Sequence, residues 1–200
     1  MTNRLDKGFG EMKAEKTSEL YVVVDVETAG PVPGEYALLS IGACTLEHPR
    51  KTFYIELQPD TDNIVAHVAE IHSLSLDRLS VEGTPPAAAM RSFADWVSQV
   101  SGGGVRPVFT AFNAPFDWMF VSHYFMRYLG YNPFGHSALD IKAYYMGLHG
   151  TCWADTSYRF VSQHYQKQPT LQHHALQDAM DAADLFELML EEIKTRKGQV

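Results

Sequence analysis

Leu20-Tyr21-Val22-Val23-Val24-Asp25-Val26-Glu27-Thr28 is the stretch on which the fold turns. Tyr21, Val22, Val23, Val24 and Val26 are β-formers that follow one another without the in-and-out alternation of a half-wetted strand. Leu20 to Val26 is therefore expected to be a central strand, covered on both faces. Asp25 and Glu27 sit two apart near its end, so their side chains leave the same face, about 7 Å apart at the Cα atoms. Carboxylates at the end of a valine strand are costly to desolvate, and a cation is the natural compensation. A strand simply emerging into water explains the pair equally well, so the pair by itself leaves both explanations open.

Outward from this strand, Tyr36 to Leu46 and Thr52 to Leu57 read as further strands, separated by a proline-containing turn at Glu47 to Arg50. Three opening strands in a meander follow. Thr84-Pro85-Pro86 is a helix start, with threonine as cap and proline in the first turn, and Met90, Phe93, Ala94 and Val97 recur at helical spacing. That helix is expected to end before Gly102-Gly103-Gly104. Arg106 to Phe112 is another buried strand, and Asn113-Ala114-Pro115 launches a helix carrying Phe116, Phe120, Tyr124 and Tyr128, with Asn113 able to cap it. An amphipathic helix from about Ala175 to Lys194 buries Ala175, Ala179, Ala182, Phe186 and Leu190. Strands first, then alternating helices and a strand, predict an α/β fold with a mixed central sheet and helices on both faces.

The 200 residues suit one domain, expected over 19–195 between a polar leader (1–18) and a polar tail (196–200). With 46% hydrophobic and 20% charged residues the composition is that of a globular protein. No apolar run has the length of a membrane helix, and Met1 to Lys16 has no signal-peptide core, so no membrane association and a cytoplasmic location are expected. Cys44 and Cys152 form no ligand pair and read as reduced packing residues. A net charge of −8 argues against coating long duplexes.

Two further acids acquire meaning from their placement. Asp117 lies in the first turn of the helix begun at Asn113, where an acid is also favoured by the helix dipole. Asp178 follows His173-His174-Ala175-Leu176-Gln177 at the start of the last helix. Five residues on an ideal helix is a rotation of about 140°, so His173 and Asp178 cannot share a face if both are helical. His173 is expected in the loop just before the helix, where an exposed imidazole can fold over the acid and handle a proton.

Together these segments resemble the DEDDh 3′–5′ exonuclease superfamily. Asp25-Val26-Glu27-Thr28 is similar to its first motif, Asn113-x-x-Phe116-Asp117 to its second, and His173-x-Ala175-Leu176-x-Asp178-Ala179 to its third. Three motifs in order, each at an element's end, make a specific signal. Leu39-Ser40-Ile41-Gly42-Ala43 is similar to the family's second strand and Glu70-Ile71-His72 to its short helix. The branch with tyrosine in place of histidine would put it at position 174, which is His174. Asp140 falls where relatives carry an aspartate between a strand and a helix; a helix N-cap accounts for it as well as catalytic support does.

The resemblance implies an RNase H-like topology and hydrolysis from the 3′ end of single-stranded DNA or RNA to nucleoside 5′-monophosphates. It further implies two divalent ions, Mg²⁺ or Mn²⁺, held by Asp25, Glu27, Asp117 and Asp178, with His173 taking the proton from the attacking water. By family placement, Thr28, Leu39, Ile41, Gly42, Asn113 and Phe116 are expected near the terminal nucleotide. Some relatives are homodimers, which leaves that state open here. A phosphodiesterase acting on small nucleotides and an inactive nucleic-acid-binding module on the same fold are the competing expectations. Residues Gly150 to Gln172 are read either as a cover over the scissile end or as ordinary helix plus loop.

Overall fold

The computed structural model describes residues 18–65, 74–168 and 172–198. Five strands form one sheet in the order β3-β2-β1-β4-β5, where β1 is Glu19–Thr28, β2 Leu38–Thr45, β3 Thr52–Glu56, β4 Arg106–Ala111 and β5 Ala138–Asp140. The valine strand is central, as its unbroken apolar pattern predicts. β2 runs antiparallel to it and β3 antiparallel to β2, giving the expected meander, whereas β4 and β5 continue parallel on the other side.

The two faces of β1 feed separate cores. Val22, Val24 and Val26 pack beneath α2 (Pro86–Ser101) and α3 (Ala114–Leu129), with Phe93, Phe120, Tyr124 and Phe125. Val23 points the other way, to α4 (Ile141–His149), α5 (Tyr158–His164) and α6 (Ala175–Gly198), meeting Ile141, Val161 and Phe186. Alternation along β1 puts Asp25 and Glu27 on the α6 face. A shorter helix, α1 (Leu76–Glu82), covers Leu39 and Ala37 through Leu79.

Several local expectations change. Thr84 does not cap α2: its backbone pairs with Glu56 and Gln58 next to β3, and Pro85 takes the cap position without a side-chain bond. Asn113 precedes α3 in a left-handed conformation (φ 70°) but its side chain makes no cap bond; its Oδ1 accepts instead from Lys142 Nζ at 3.3 Å. Asp140 takes over that task. Its Oδ1 accepts from the amides of Asn113 (3.1 Å), Ala114 (3.3 Å) and Lys142 (3.1 Å), so one carboxylate caps α4 and ties down the start of α3. The last helix runs on past Lys194 to Gly198.

Between α4 and α6, the described part of Gly150 to Gln172 is a 3-10 turn at Trp153–Thr156, then α5 and loop, with Val161 anchored in the core. Glu70-Ile71-His72 lies outside the described residues. Among the described residues, no helix is long and apolar enough to cross a membrane.

Candidate active site

Three pieces of backbone converge at the end of β1. The Val26 amide donates to Asp117 Oδ1 at 3.1 Å, which fixes the first turn of α3 against the strand. On the opposite face, Gly42 pairs with Asp25 across β1 and β2. A Cβ built on Gly42 would stand 2.1 Å from the Ala175 carbonyl carbon and the Leu176 nitrogen. Only a residue without a side chain lets the first turn of α6 lie directly on the sheet next to Asp25, and that turn carries Asp178.

The carboxylates are set into this junction rather than spread on a surface. Asp117 is 3% and Asp178 4% exposed, while Asp25 and Glu27 retain partial access. Asp178 accepts from the Gln172 amide at 2.9 Å. Burial, together with the neighbouring charges of Asp117, Glu27 and Asp178, pushes the Asp25 carboxyl well above its ordinary range. Burial and Glu27 do the same to Asp117, against the opposing pull of the Val26 and Asp117 amides. Glu27 is raised to about 7 by burial and by Asp178. Among the described residues, what raises Asp25 and Glu27 is burial and the charge of other acids, which a divalent cation held by these carboxylates would neutralise.

His173 stands in the loop immediately before α6, in a left-handed conformation (φ 53°) that swings its exposed ring back over the acids. Donor atoms of Glu27, His173 and Asp178 lie within 4.8 Å of one another. The structure therefore brings together Asp25, Glu27, Asp117, His173 and Asp178, which the sequence places on three separate segments.

The residues expected near a terminal nucleotide divide. Asn113 is exposed and Phe116 partly so, both at the start of α3 that carries Asp117. Thr28 is buried, its hydroxyl donating to the Gly30 carbonyl at 2.9 Å. Leu39 and Ile41 are fully buried in separate cores, and Gly42 lies under α6.

One cleft escaped the sequence reading. A space of about 120 Å³ beside His173 is lined by Glu27, Ser40, Tyr54, Glu56, Arg78 and His174. His174 stacks on Tyr54 with ring centroids 4.7 Å apart, and Tyr54 and Arg78 both donate to Glu56, at 2.9 and 2.7 Å. Partners on β3 and α1 are not deducible from the His173-His174 segment itself.

An exonuclease family model matches residues 22–186. A 3′-5′ DNA exonuclease of Escherichia coli, Cap18, is 42% identical over 178 residues, covering 89% of this chain and 94% of that protein. The nuclease domain of 3′hExo, a DEDDh family member solved bound to rAMP, superposes with a TM-score of 0.75 at 13% identity, covering 90% of this chain and 95% of that one. E. coli exonuclease I in complex with a dA16 oligonucleotide gives a TM-score of 0.71 at 14% identity over 91% of this chain and 42% of its own length. These two likenesses are of fold. Sheet order, carboxylate cluster and sequence matches together define a nuclease of the RNase H-like fold. The chain belongs to the DEDDh 3′–5′ exonuclease superfamily, whose members depend on divalent metal ions.

Proposed function

We propose that this enzyme removes nucleotides one at a time from the 3′ end of single-stranded DNA, releasing nucleoside 5′-monophosphates. The observation that carries the reading is the meeting of four acids and His173 at the end of β1. DNA is chosen over RNA because the 42%-identical relative is a DNA exonuclease over nearly the same length.

The donor set fits hard divalent cations. Asp25, Glu27, Asp117 and Asp178 offer oxygen ligands only, which suits a pair of Mg²⁺ or Mn²⁺ ions, with Asp25 at the centre of the cluster. When bound, such ions neutralise the scissile phosphate and the departing 3′ oxygen. His173 takes the proton from the attacking water; its ring is exposed to the incoming strand and lies close to Glu27 and Asp178. Val26 and Gln172 hold Asp117 and Asp178 through backbone amides, so neither carboxylate has to reorganise when substrate arrives. Asn113 and Phe116 frame the approach of the terminal nucleotide, and Thr28, Leu39, Ile41 and Gly42 support it from beneath.

The test is hydrolysis of matched 5′-labelled DNA and RNA single strands by the native chain with Mg²⁺ or Mn²⁺. Faster one-nucleotide shortening of DNA is the expected result. Equal or faster shortening of RNA would overturn the sugar assignment, and no shortening of either strand would overturn the activity.

A further inference from the structure

At the other end of α6, Glu192 lies fourteen residues beyond Asp178, about 21 Å along the helix axis. Here it meets two histidines, each the last residue of its helix: His149 of α4 and His164 of α5. One donor atom from each of the three lies within 4.8 Å of the other two. The His149 Nε2 is 3.5 Å from Glu192 Oε2, and the two imidazole rings approach edge to face with centroids 4.7 Å apart.

The surroundings hold this trio in place. Tyr165 donates its hydroxyl to Glu192 Oε2 at 2.8 Å, and Arg196 donates to Oε1 at 2.5 Å while also reaching the Leu148 carbonyl at 3.0 Å. The Tyr145 ring packs on His149 at 4.4 Å. An oriented carboxylate, hydrogen-bonded by groups that are not themselves ligands, is the outer shell that metal-bound carboxylates ordinarily have.

We propose that His149, His164 and Glu192 form a second, non-catalytic metal site that takes one borderline-soft transition-metal dication of the Zn²⁺ class and clips the ends of α4, α5 and α6 together. Two imidazoles and a carboxylate supply three of four tetrahedral positions, the fourth being left to solvent. Ligand bonds of about 2.0–2.2 Å require donors roughly 3.3 Å apart, so the trio must draw in by no more than about 1.5 Å. His164 is exposed at the rim of the cluster, its ring set against those of Tyr145, His149 and Tyr165. The His149 Nε2 must give up its 3.1 Å contact with the Tyr165 hydroxyl, which keeps Glu192 as acceptor.

Arg196 already shares the charge of Glu192, so affinity has to come from the imidazoles. This selects Zn²⁺, Ni²⁺ or Cu²⁺ over Mg²⁺ and Mn²⁺, the reverse of what the all-oxygen cluster at Asp25 favours.

The experiment is a calorimetric Zn²⁺ titration of the full chain carrying Asp178→Asn and His173→Ala, which breaks the donor set at the other end of α6. Mg²⁺ is present throughout, and Co²⁺ absorption serves as a second readout. One equivalent of Zn²⁺ and a ligand-field spectrum of low coordination number are expected, both lost on adding His164→Ala, an exposed position that should not disturb folding. With otherwise native sequence, His164→Ala should retain Mg²⁺-dependent turnover. No Zn²⁺ equivalent in the first chain, or one that survives His164→Ala unweakened, would overturn the proposal.

Discussion

Replacing Gly42 with alanine tests how the site is assembled, because the atoms nearest the added methyl would be backbone atoms of Ala175 and Leu176 in the first turn of α6. Its Cβ would lie 2.1 Å from the Ala175 carbonyl carbon and 2.4 Å from its oxygen, whereas ordinary contact begins at 3.4 Å. The first turn of α6 must retreat by about 1.3 Å, carrying Asp178 and the preceding His173 away from Asp25, or else the strand must bend. Overpacking of this kind costs about 1–3 kcal/mol. A misplacement of about 1 Å in a catalytic group costs on the order of 100-fold in rate. The assay is excision of the 3′ nucleotide from a 5′-labelled DNA strand at saturating metal, with thermal melting measured alongside. Gly103→Ala is the control, since a Cβ there meets nothing within 4 Å. The expected outcome is a folded Gly42→Ala protein with a modestly lower Tm and a rate down by about two orders of magnitude. A Gly42→Ala enzyme within about threefold of native would refute the idea that contact between α6 and β2 sets the catalytic geometry.

Other perturbations follow from the same structure. Glu27 ordinarily titrates at 4.5 and is raised to about 7 in the fold, so between those values the metal-free folded state binds more protons than the unfolded chain. Stability from this group is therefore fully present below that window and is lost as pH rises through it. Divalent ions take the place of those protons, so the gain in Tm on adding Mg²⁺ should be larger near about pH 8 than near about pH 5; an equal gain at both would count against the cluster as the metal site. Asp140→Ala strips the acceptor from three amides and should cost about 1–2 kcal/mol, a fall of roughly 2–8 °C in Tm, with Asp140→Asn recovering most of it. Tyr124→Phe removes the group that accepts from the buried Leu38 amide and donates to Asp60; a loss of about 1–3 kcal/mol in denaturant melts is expected, with little change in rate.

What could be read from the sequence was what local pattern encodes. The valine run announced a strand covered on both sides, and the rotation between His173 and Asp178 placed the histidine off the helix, where its φ of 53° puts it. What escaped was decided by partners distant in the chain. Thr84 has the chemistry of a cap, but its backbone is drawn into pairing beside Leu57. α1, of seven residues, is too short to declare itself by periodicity and exists because Leu79 is packed. Gly42 was read as neighbouring the nucleotide by family placement. A glycine inside a fully buried strand is itself the signal of a close backbone approach, although only the folded chain identifies α6 as the partner. The trio of His149, His164 and Glu192 is likewise scattered over three helices and has no linear motif.

The central claim, that the acids at the end of β1 form a hydrolytic centre acting from the 3′ terminus, is tested most directly by one comparison. Native chain and Asp178→Asn, a change that keeps size and can still accept from Gln172, are each given a 5′-labelled DNA strand with Mg²⁺ or Mn²⁺. The native protein is expected to give a ladder shortening by single nucleotides with nucleoside 5′-monophosphate released, and the variant to melt as a folded protein without producing it. Internal fragments from the native chain, or a ladder that persists in Asp178→Asn, would contradict the assignment.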